Sequence, residues 1–385
     1  MEALILSCGT GGGHNSAGKA VMEELNRRNH HAVMMNPYTL CGGHLAKRID
    51  RTYIVTAQKA PKAFGTIYGA GELYRKLPFR SPLYYANWGM VSRMHRYLEE
   101  NHYDIVIMPH LFPAEILTCM KRHGMEIPKT IFIATDYCCI PFTEETECDA
   151  YVIPAQDLAH DFSDRGIPEG KLYPFGIPVS RGFTEARSRE NARLGLGLAP
   201  DRKYILMAGG SIGAGKIPKL IELLVSGRER RGARGTEKIE LIVICGNNRE
   251  LYGKLEKEYG RQAMIIGHTE QVAEYLWASD LYITKPGGLS STEAAVCGIP
   301  LVHMPPIPGC ETHNAIYFRK HGMSVPCEIA EKDAEEIFGL LERGEACAAM
   351  AECQKEHIGR DAAARICGLA EELAFPPTDL TACPG

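Results

Sequence analysis

The chain has 385 residues, 45% of them apolar and 23% charged, and its formal net charge is −4. The length asks for two domains, the composition is that of an ordinary globular protein, and the slight acidity gives no general attraction to nucleic acid. Fourteen cysteines are scattered without a CxxC pair, which speaks against a zinc site and, in a chain this long, for reduced thiols over a disulfide framework. Residues 3–7 are the first expected strand, and the apolar run inside it is too short for the core of a signal peptide. A glycine turn and a helix over 17–28 follow, then strands at 32–35, 105–108, 130–134 and 150–153. Phe175-Gly176-Ile177-Pro178 reads as a linker, because Gly and Pro punctuate it. The pattern then restarts with a strand at 204–208, a helix at 216–226 and strands at 239–245, 264–266, 281–284 and 301–304. Short helical stretches are expected at 315–320 and 355–373. No apolar run approaches the ~20 residues that cross a bilayer, so a cytoplasmic protein is expected.

Alternating strands and helices imply parallel sheets with right-handed crossovers. The restart implies an α/β chain of two doubly wound domains facing a cleft. The expected boundaries are 1–178, 179–358, and a C-terminal helix and tail over 359–385 that packs back on the first domain. Charge is uneven along this plan. Residues 45–96 hold ten Lys or Arg against Asp50 and Glu72, a local +8 that leaves −12 on the rest. Tyr53, Phe64, Tyr68, Tyr74, Phe79, Tyr84, Tyr85 and Trp88 are interleaved with them. Cations among aromatic rings suit an anionic membrane surface. The competing reading is a solvated helical face with its aromatics in the core.

Thr284-Lys285-Pro286-Gly287-Gly288-Leu289-Ser290-Ser291-Thr292-Glu293 reads as a strand end, a tight turn and a helix start. Helix-start N–H groups have no intrahelical partner, and together with the helix dipole they favour an anion, most often a phosphate. Glu293 sits about a turn into the helix, where its carboxylate can accept bonds from ligand hydroxyls. That pairing points to a nucleotide sugar. Each half also opens with a strand and a glycine turn, Gly9-Thr10-Gly11-Gly12-Gly13-His14 and Gly209-Gly210-Ser211-Ile212-Gly213. In such folds ligands sit at the carboxyl ends of the strands, so both turns face the cleft. Both nearly match a P-loop, yet Ala20 and Ile217 stand where the Mg²⁺-binding hydroxyl belongs, which excludes that reading. Gly209–Gly213 also fits a nucleophile elbow, but a single-sheet hydrolase leaves the second glycine site unexplained.

Three polar groups remain. The glycines around His14 expose it at a strand end, which favours a catalytic role over a structural one. Asp136, after the strand 130–134, points into the cleft as a general base, or else caps the next element. Glu311 and Asn314 lie in the polar run after strand 301–304, placed to bond sugar hydroxyls or to cap the helix 315–320.

The motifs GTGGGHNSA, TDY, AGGSIG and KPGGLSSTEAAVCGIP…IPGCETHNA resemble glycosyltransferase family 28, most closely its branch of monogalactosyldiacylglycerol synthases and processive diacylglycerol glucosyltransferases. The resemblance runs in order from Leu4 to about Arg360. It implies a GT-B fold, two Rossmann-like domains with the lipid acceptor on the first and the UDP-sugar on the second. It implies that Gly209, Gly210 and Ser211 approach the diphosphate from one side and Gly287, Gly288 and Ser291 from the other. Glu293 would hold the ribose, and Glu311 and Asn314 would line the sugar site. His14 and Asp136, with Gly12 and Gly13, would lie on the acceptor side. Lys47, Arg48, Arg75, Lys76 and Trp88 would dock on an anionic membrane surface. The family usually has Gln before the Glu, and here Cys310 precedes Glu311, which leaves glucose and galactose both open. The implied reaction is an inverting transfer from a UDP-hexose to diacylglycerol at the inner face of the cell membrane, with the domains closing about the linker. Asp136 is the expected base and His14 the rival base or its orienting partner. No DxD motif occurs, so no metal and no other cofactor are expected. Rival readings are transfer of N-acetylglucosamine from its UDP-sugar to an undecaprenyl-linked peptidoglycan intermediate, a UDP-sugar epimerase, and a non-catalytic UDP-sugar sensor.

Overall fold

The computed structural model of the chain describes residues 1–9, 12–42, 44, 46, 48, 61–211, 213, 215–231 and 239–376. Its first sheet comprises β1 (Glu2–Leu6), β2 (His31–Met35), β3 (Ile105–Met108), β4 (Lys129–Ile133), β5 (Ala150–Val152) and β6 (Leu172–Tyr173), in the order β2-β1-β3-β4-β5-β6. The second comprises β7 (Lys203–Ala208), β8 (Ile239–Ile244), β9 (Met264–Ile266), β10 (Leu281–Thr284), β11 (Leu301–His303) and β12 (Val325–Pro326), in the order β12-β11-β10-β7-β8-β9. Neighbouring strands are parallel throughout, as in Ala3 opposite Ile105 and Thr284 opposite Ala208. Helices cover both faces, so the central strands are buried on both sides and read as unbroken apolar runs such as Ile-Val-Ile-Met in β3. This is the GT-B architecture.

In each sheet the strand order reverses once, between β1 and β3 and between β10 and β7. At such a reversal the connections leave in opposite directions and open a crevice at the carboxyl ends. The first crevice holds the turn after β1 and Pro109-His110 after β3. The second holds the turn after β7 and Lys285–Gly288 after β10.

Several expected elements change. The first helix runs Gly12–Arg27, not 17–28, so His14 stands in its opening turn. The reason is tertiary, because the other domain supplies a partner for the helix start: the Gly12 N–H donates to Ser211 Oγ at 2.9 Å. The expected helix 315–320 starts earlier, at Cys310, and carries Glu311 and Asn314 in its first turn. No helix begins at Asp136, which lies on a loop, so the capping reading fails there. The stretch 355–373 is two helices, Gly344–His357 and Ala362–Ala374, parted where Ile358 is extended. The chain crosses there from one domain to the other. Before the break, Gln354 donates to the Ile299 and Met323 carbonyls at 3.0 Å each. Beyond it, Ile366, Cys367, Leu369 and Ala370 join the first domain's core with Ala3 and Ile5. Glu371 accepts from His30 at 2.9 Å and pairs with Arg28. Strands β6 and β12 have two residues each, too short for periodicity to announce.

The segment 45–96 divides. Lys47 lies outside the described residues. The helices Pro61–Tyr74, Pro82–Trp88 and Val91–Glu100 occupy much of the remainder. Arg75 does not face outward as expected. It pairs with Glu144 at 2.7 Å and with Glu72 at 3.8 Å, because both carboxylates face it across the helix end. Arg48, Lys76 and Trp88 are exposed. Among the described residues no helix is long and apolar enough to cross a membrane.

Candidate functional site

Between the sheets lies a cleft of about 670 Å³, a size usual for small-molecule sites. Gly12, Gly13, His14 and Asp136 wall it from the first domain, and Gly210, Ser211, Gly287, Gly288, Glu293 and Glu311 from the second. Gly209 precedes Gly210 in the same turn. A small, mostly apolar slot with room for about one water opens behind His14 and Asp136, against Leu111, Phe132 and Phe162.

On the donor side, the helix Gly288–Cys297 starts at Gly287 with no side chain capping it. Its opening N–H groups therefore have no intrahelical partner and stand at the cleft wall. Ser290 and Glu293, three residues apart on one helical face, line the cleft. Ser291 does not. It is buried and shares a hydrogen bond with His303 Nε2 at 2.9 Å, which corrects its expected place beside the diphosphate. One residue along a helix turns the side chain by about 100°, from the cleft to the core. Glu293 has a carboxyl pushed up to about 8 by burial.

Lys285, given no role from sequence, stands between the two glycine turns. Its Cε is 3.2 Å from where a Cβ on Gly210 would sit, and its Nζ is 3.4 Å from the same point on Gly287. Burial alone would lower its pKa, but the Glu311 carboxylate beside it more than offsets this and holds the ammonium above its usual range. Glu311 also accepts from the Ile307 N–H at 2.9 Å. The available signal was position: a lone cation directly after a strand buried along its whole length. His268, Thr269 and Glu270, after β9, also reach the cleft wall, and their one signal in the sequence is the same position after a strand end.

On the other wall, His14 Nδ1 lies 2.7 Å from the Pro109 carbonyl and 3.0 Å from Thr135 Oγ1. A carbonyl only accepts, so Nδ1 carries the proton and Nε2 keeps the lone pair. Burial pulls the imidazole below its ordinary pKa while the charge of Asp136 acts the other way. His110 packs its ring 4.5 Å from that of His14, and burial holds it neutral as well.

The two walls touch. A Cβ on Gly288 would lie 1.9 Å from the Thr135 carbonyl oxygen, so only glycine admits this approach. Tyr137 is buried in the second domain's core, its ring stacked on Tyr317 at 4.7 Å and edge-on to Phe318 at 5.0 Å. Its hydroxyl donates to Thr292 Oγ1 at 2.8 Å, since Thr292 itself donates to the Gly288 carbonyl. Asn314, expected in the sugar site, is fully buried away from the cleft and bonds Asp136 and Tyr137 across the domain boundary. The cause is tertiary: Glu311 lines the cleft, while Asn314, three residues on and on the same helical side, is covered by Asp136 and Tyr137 of the other domain.

A family model of monogalactosyldiacylglycerol (MGDG) synthase matches residues 14–179, and one of the glycosyltransferase family 28 C-terminal domain matches residues 204–366. The chain is 25% identical over 344 residues to a processive diacylglycerol beta-glucosyltransferase of Bacillus licheniformis, spanning 88% of this chain and 86% of the relative. It is 26% identical over 361 residues to the enzyme of that name from Staphylococcus carnosus, spanning 91% and 87%. The crystal structure of Acinetobacter baumannii MurG shares the fold with a TM-score of 0.61 at 15% identity, spanning 96% of this chain and 99% of that one. With both halves matched in order, the chain belongs to glycosyltransferase family 28, in the branch of the MGDG synthases and the processive diacylglycerol glucosyltransferases.

Proposed function

We propose that this protein moves a hexose, glucose or galactose, from a UDP-hexose to the free hydroxyl of diacylglycerol, inverting the anomeric centre. One observation carries the reading: an anion cradle with a half-buried lysine and an Asp–His pair meet across one cleft, each from a different domain. The names of the relatives support diacylglycerol as the acceptor. In this reading the diphosphate lies against Gly210, Ser211 and the opening N–H groups of the helix Gly288–Cys297, with Lys285 supplying positive charge. Glu293 takes the ribose hydroxyls, and Glu311 faces the hexose. The acceptor hydroxyl enters from the first domain, on the face of the sugar opposite the diphosphate. Its oxygen bonds the anomeric carbon as the bond from that carbon to the diphosphate breaks, and Asp136 takes the proton. Charge on the sugar ring becomes oxocarbenium-like, and preorganised N–H groups and Lys285 stabilise the departing UDP. His14 is the rival base, favoured by the tautomer that Pro109 imposes.

The reading includes peripheral docking on an anionic membrane surface. Leu73, Leu77, Phe79, Tyr85 and Trp88 stand 49–69% exposed, and Lys76 and Arg80 lie among them in an exposed stretch. Large apolar side chains beside cations support that surface.

The test is incubation with diacylglycerol vesicles and UDP-glucose, UDP-galactose or UDP-N-acetylglucosamine, followed by mass analysis of the lipids. A hexosyl-diacylglycerol is expected. Transfer only to a polyprenyl-linked acceptor, an epimerised nucleotide sugar, or UDP binding without transfer would overturn the reading. Asp136→Asn should lower kcat by about 10²–10⁴-fold. Near-normal turnover in both Asp136→Asn and His14→Ala would refute the base assignment. Phe79→Ser with Trp88→Ser should weaken co-sedimentation with anionic vesicles, and unchanged binding would remove the membrane part.

A further inference from the structure

Asn314 commits its whole amide between the domains. From the second domain's helix Cys310–Lys320, its Nδ2 donates to Asp136 Oδ1 at 2.7 Å and to the Pro286 carbonyl at 3.0 Å. Its Oδ1 accepts from the Tyr137 backbone N–H at 2.7 Å. These partners fix which end of the amide is which: an N–H only donates, while a carbonyl and a carboxylate only accept. Asn314 is 0% exposed, so it reaches no sugar in the cleft. Among the described residues it supplies the one hydrogen bond that the Asp136 carboxylate accepts. Pro286, its third partner, stands in the turn that opens the anion cradle. One side chain therefore joins the donor-side turn to the candidate base.

We propose that Asn314 is a positioning residue that orients the Asp136 carboxylate only when the two domains are closed. The proposal rests on the reading of Asp136 as the base. In the closed arrangement Oδ1 is held and the other carboxylate oxygen is left for the acceptor hydroxyl. When the domains part, no described residue of the first domain donates a hydrogen bond to that side chain, and the Tyr137 N–H loses its acceptor at the same time. Proton abstraction thus waits for the donor domain to arrive. A donor held in an open cleft is not attacked, because the base that would activate water is not aimed.

The test uses the full-length protein with vesicle-borne diacylglycerol. Asn314→Ala should lower kcat by about 10–100-fold, as an angstrom-scale misplacement does, and leave KM for the UDP-hexose within about twofold. UDP binding by calorimetry verifies folding. Combined with Asp136→Asn, the substitution should cost almost nothing more. If Asn314→Ala does not fold, the isosteric Asn314→Asp serves: it keeps the volume and removes the amide donor to Asp136, and the same loss of kcat at near-constant KM is expected. A raised KM at constant kcat would overturn the proposal by putting Asn314 on the sugar. So would the same factor of kcat lost in the Asp136→Asn background, which marks a structural role. Retained turnover in Asp136→Asn alone fails the base assignment, and the proposal falls with it.

Discussion

Gly288→Ala sets two effects of one methyl group against each other. Within its own domain the change is benign: residue 288 begins a helix, its backbone is not left-handed, and alanine replaces glycine in a helix with a gain of up to about 1 kcal/mol. Across the cleft it is prohibitive. The new carbon would lie 1.9 Å from the Thr135 carbonyl oxygen and 3.0 Å from its carbon. The obstacle is backbone, not the end of a side chain that can swing away. At Gly12, by contrast, the atoms nearest an added Cβ are Ser211 Oγ and Cβ, and the Ser211 backbone Cα lies 3.9 Å away. To bring the 1.9 Å contact to even 3.0 Å the walls must part by about 1 Å. That parting strains the Asn314–Asp136 and Tyr137–Thr292 bonds at 2.7 and 2.8 Å. At about 0.5–1.5 kcal/mol each, their loss disfavours closure by about 1–3 kcal/mol. A displacement of that size at the reacting groups costs about 10²-fold in rate. The assay is steady-state kcat with both substrates saturating, beside a thermal melt. We expect kcat to fall about 100-fold while the melting midpoint holds or rises. Turnover within about threefold of the parent would show that no step needs the walls this close, and the reasoning would fail.

Glu293 gives a pH signature. Its carboxyl titrates at about 8 in the free protein, and ribose hydroxyls that donate to it favour the ionised form, so UDP binding below that pH should release a proton. UDP affinity should therefore rise with pH up to about 8 and level off, and Glu293→Gln should remove that part of both the slope and the proton release seen by calorimetry in buffers of different ionisation enthalpy. Lys285→Ala should weaken UDP by about 10–100-fold, the worth of a charge-assisted bond, while Lys285→Arg restores part of it; equal affinity for all three would remove Lys285 from the diphosphate. Because Lys285 and helix-start N–H groups meet the charge of the leaving UDP, turnover should survive an excess of chelator, and a loss restored by Mg²⁺ or Mn²⁺ would contradict this.

What was legible in the sequence was whatever repeats locally. Buried parallel strands announced themselves as apolar runs between glycine turns, and Gly287-Gly288 before a helix announced an anion site. The spacing of Ser290 and Glu293 puts both on the cleft face, since residues three apart share a side, and Ser291 falls off that face into the core. Lys285 was hidden because one cation after a strand has no pattern of its own. Asn314 was hidden for a deeper reason. Two of its three partners, Tyr137 and Asp136, lie 177 and 178 residues away in the chain, and only the packing of one domain on the other brings them to it.

Tyr137 makes the unit of exchange in this protein larger than a domain. It is encoded with the first sheet but completes the apolar core of the second, against Tyr317 and Phe318. A chimera joined at the 175–178 linker, with a donor half taken from a relative, would inherit a mismatched socket for that ring. The junctions that preserve the fit transfer the loop 135–138 together with the helices Gly288–Cys297 and Cys310–Lys320. Changing which sugar is moved is therefore a three-segment graft, not a two-part fusion.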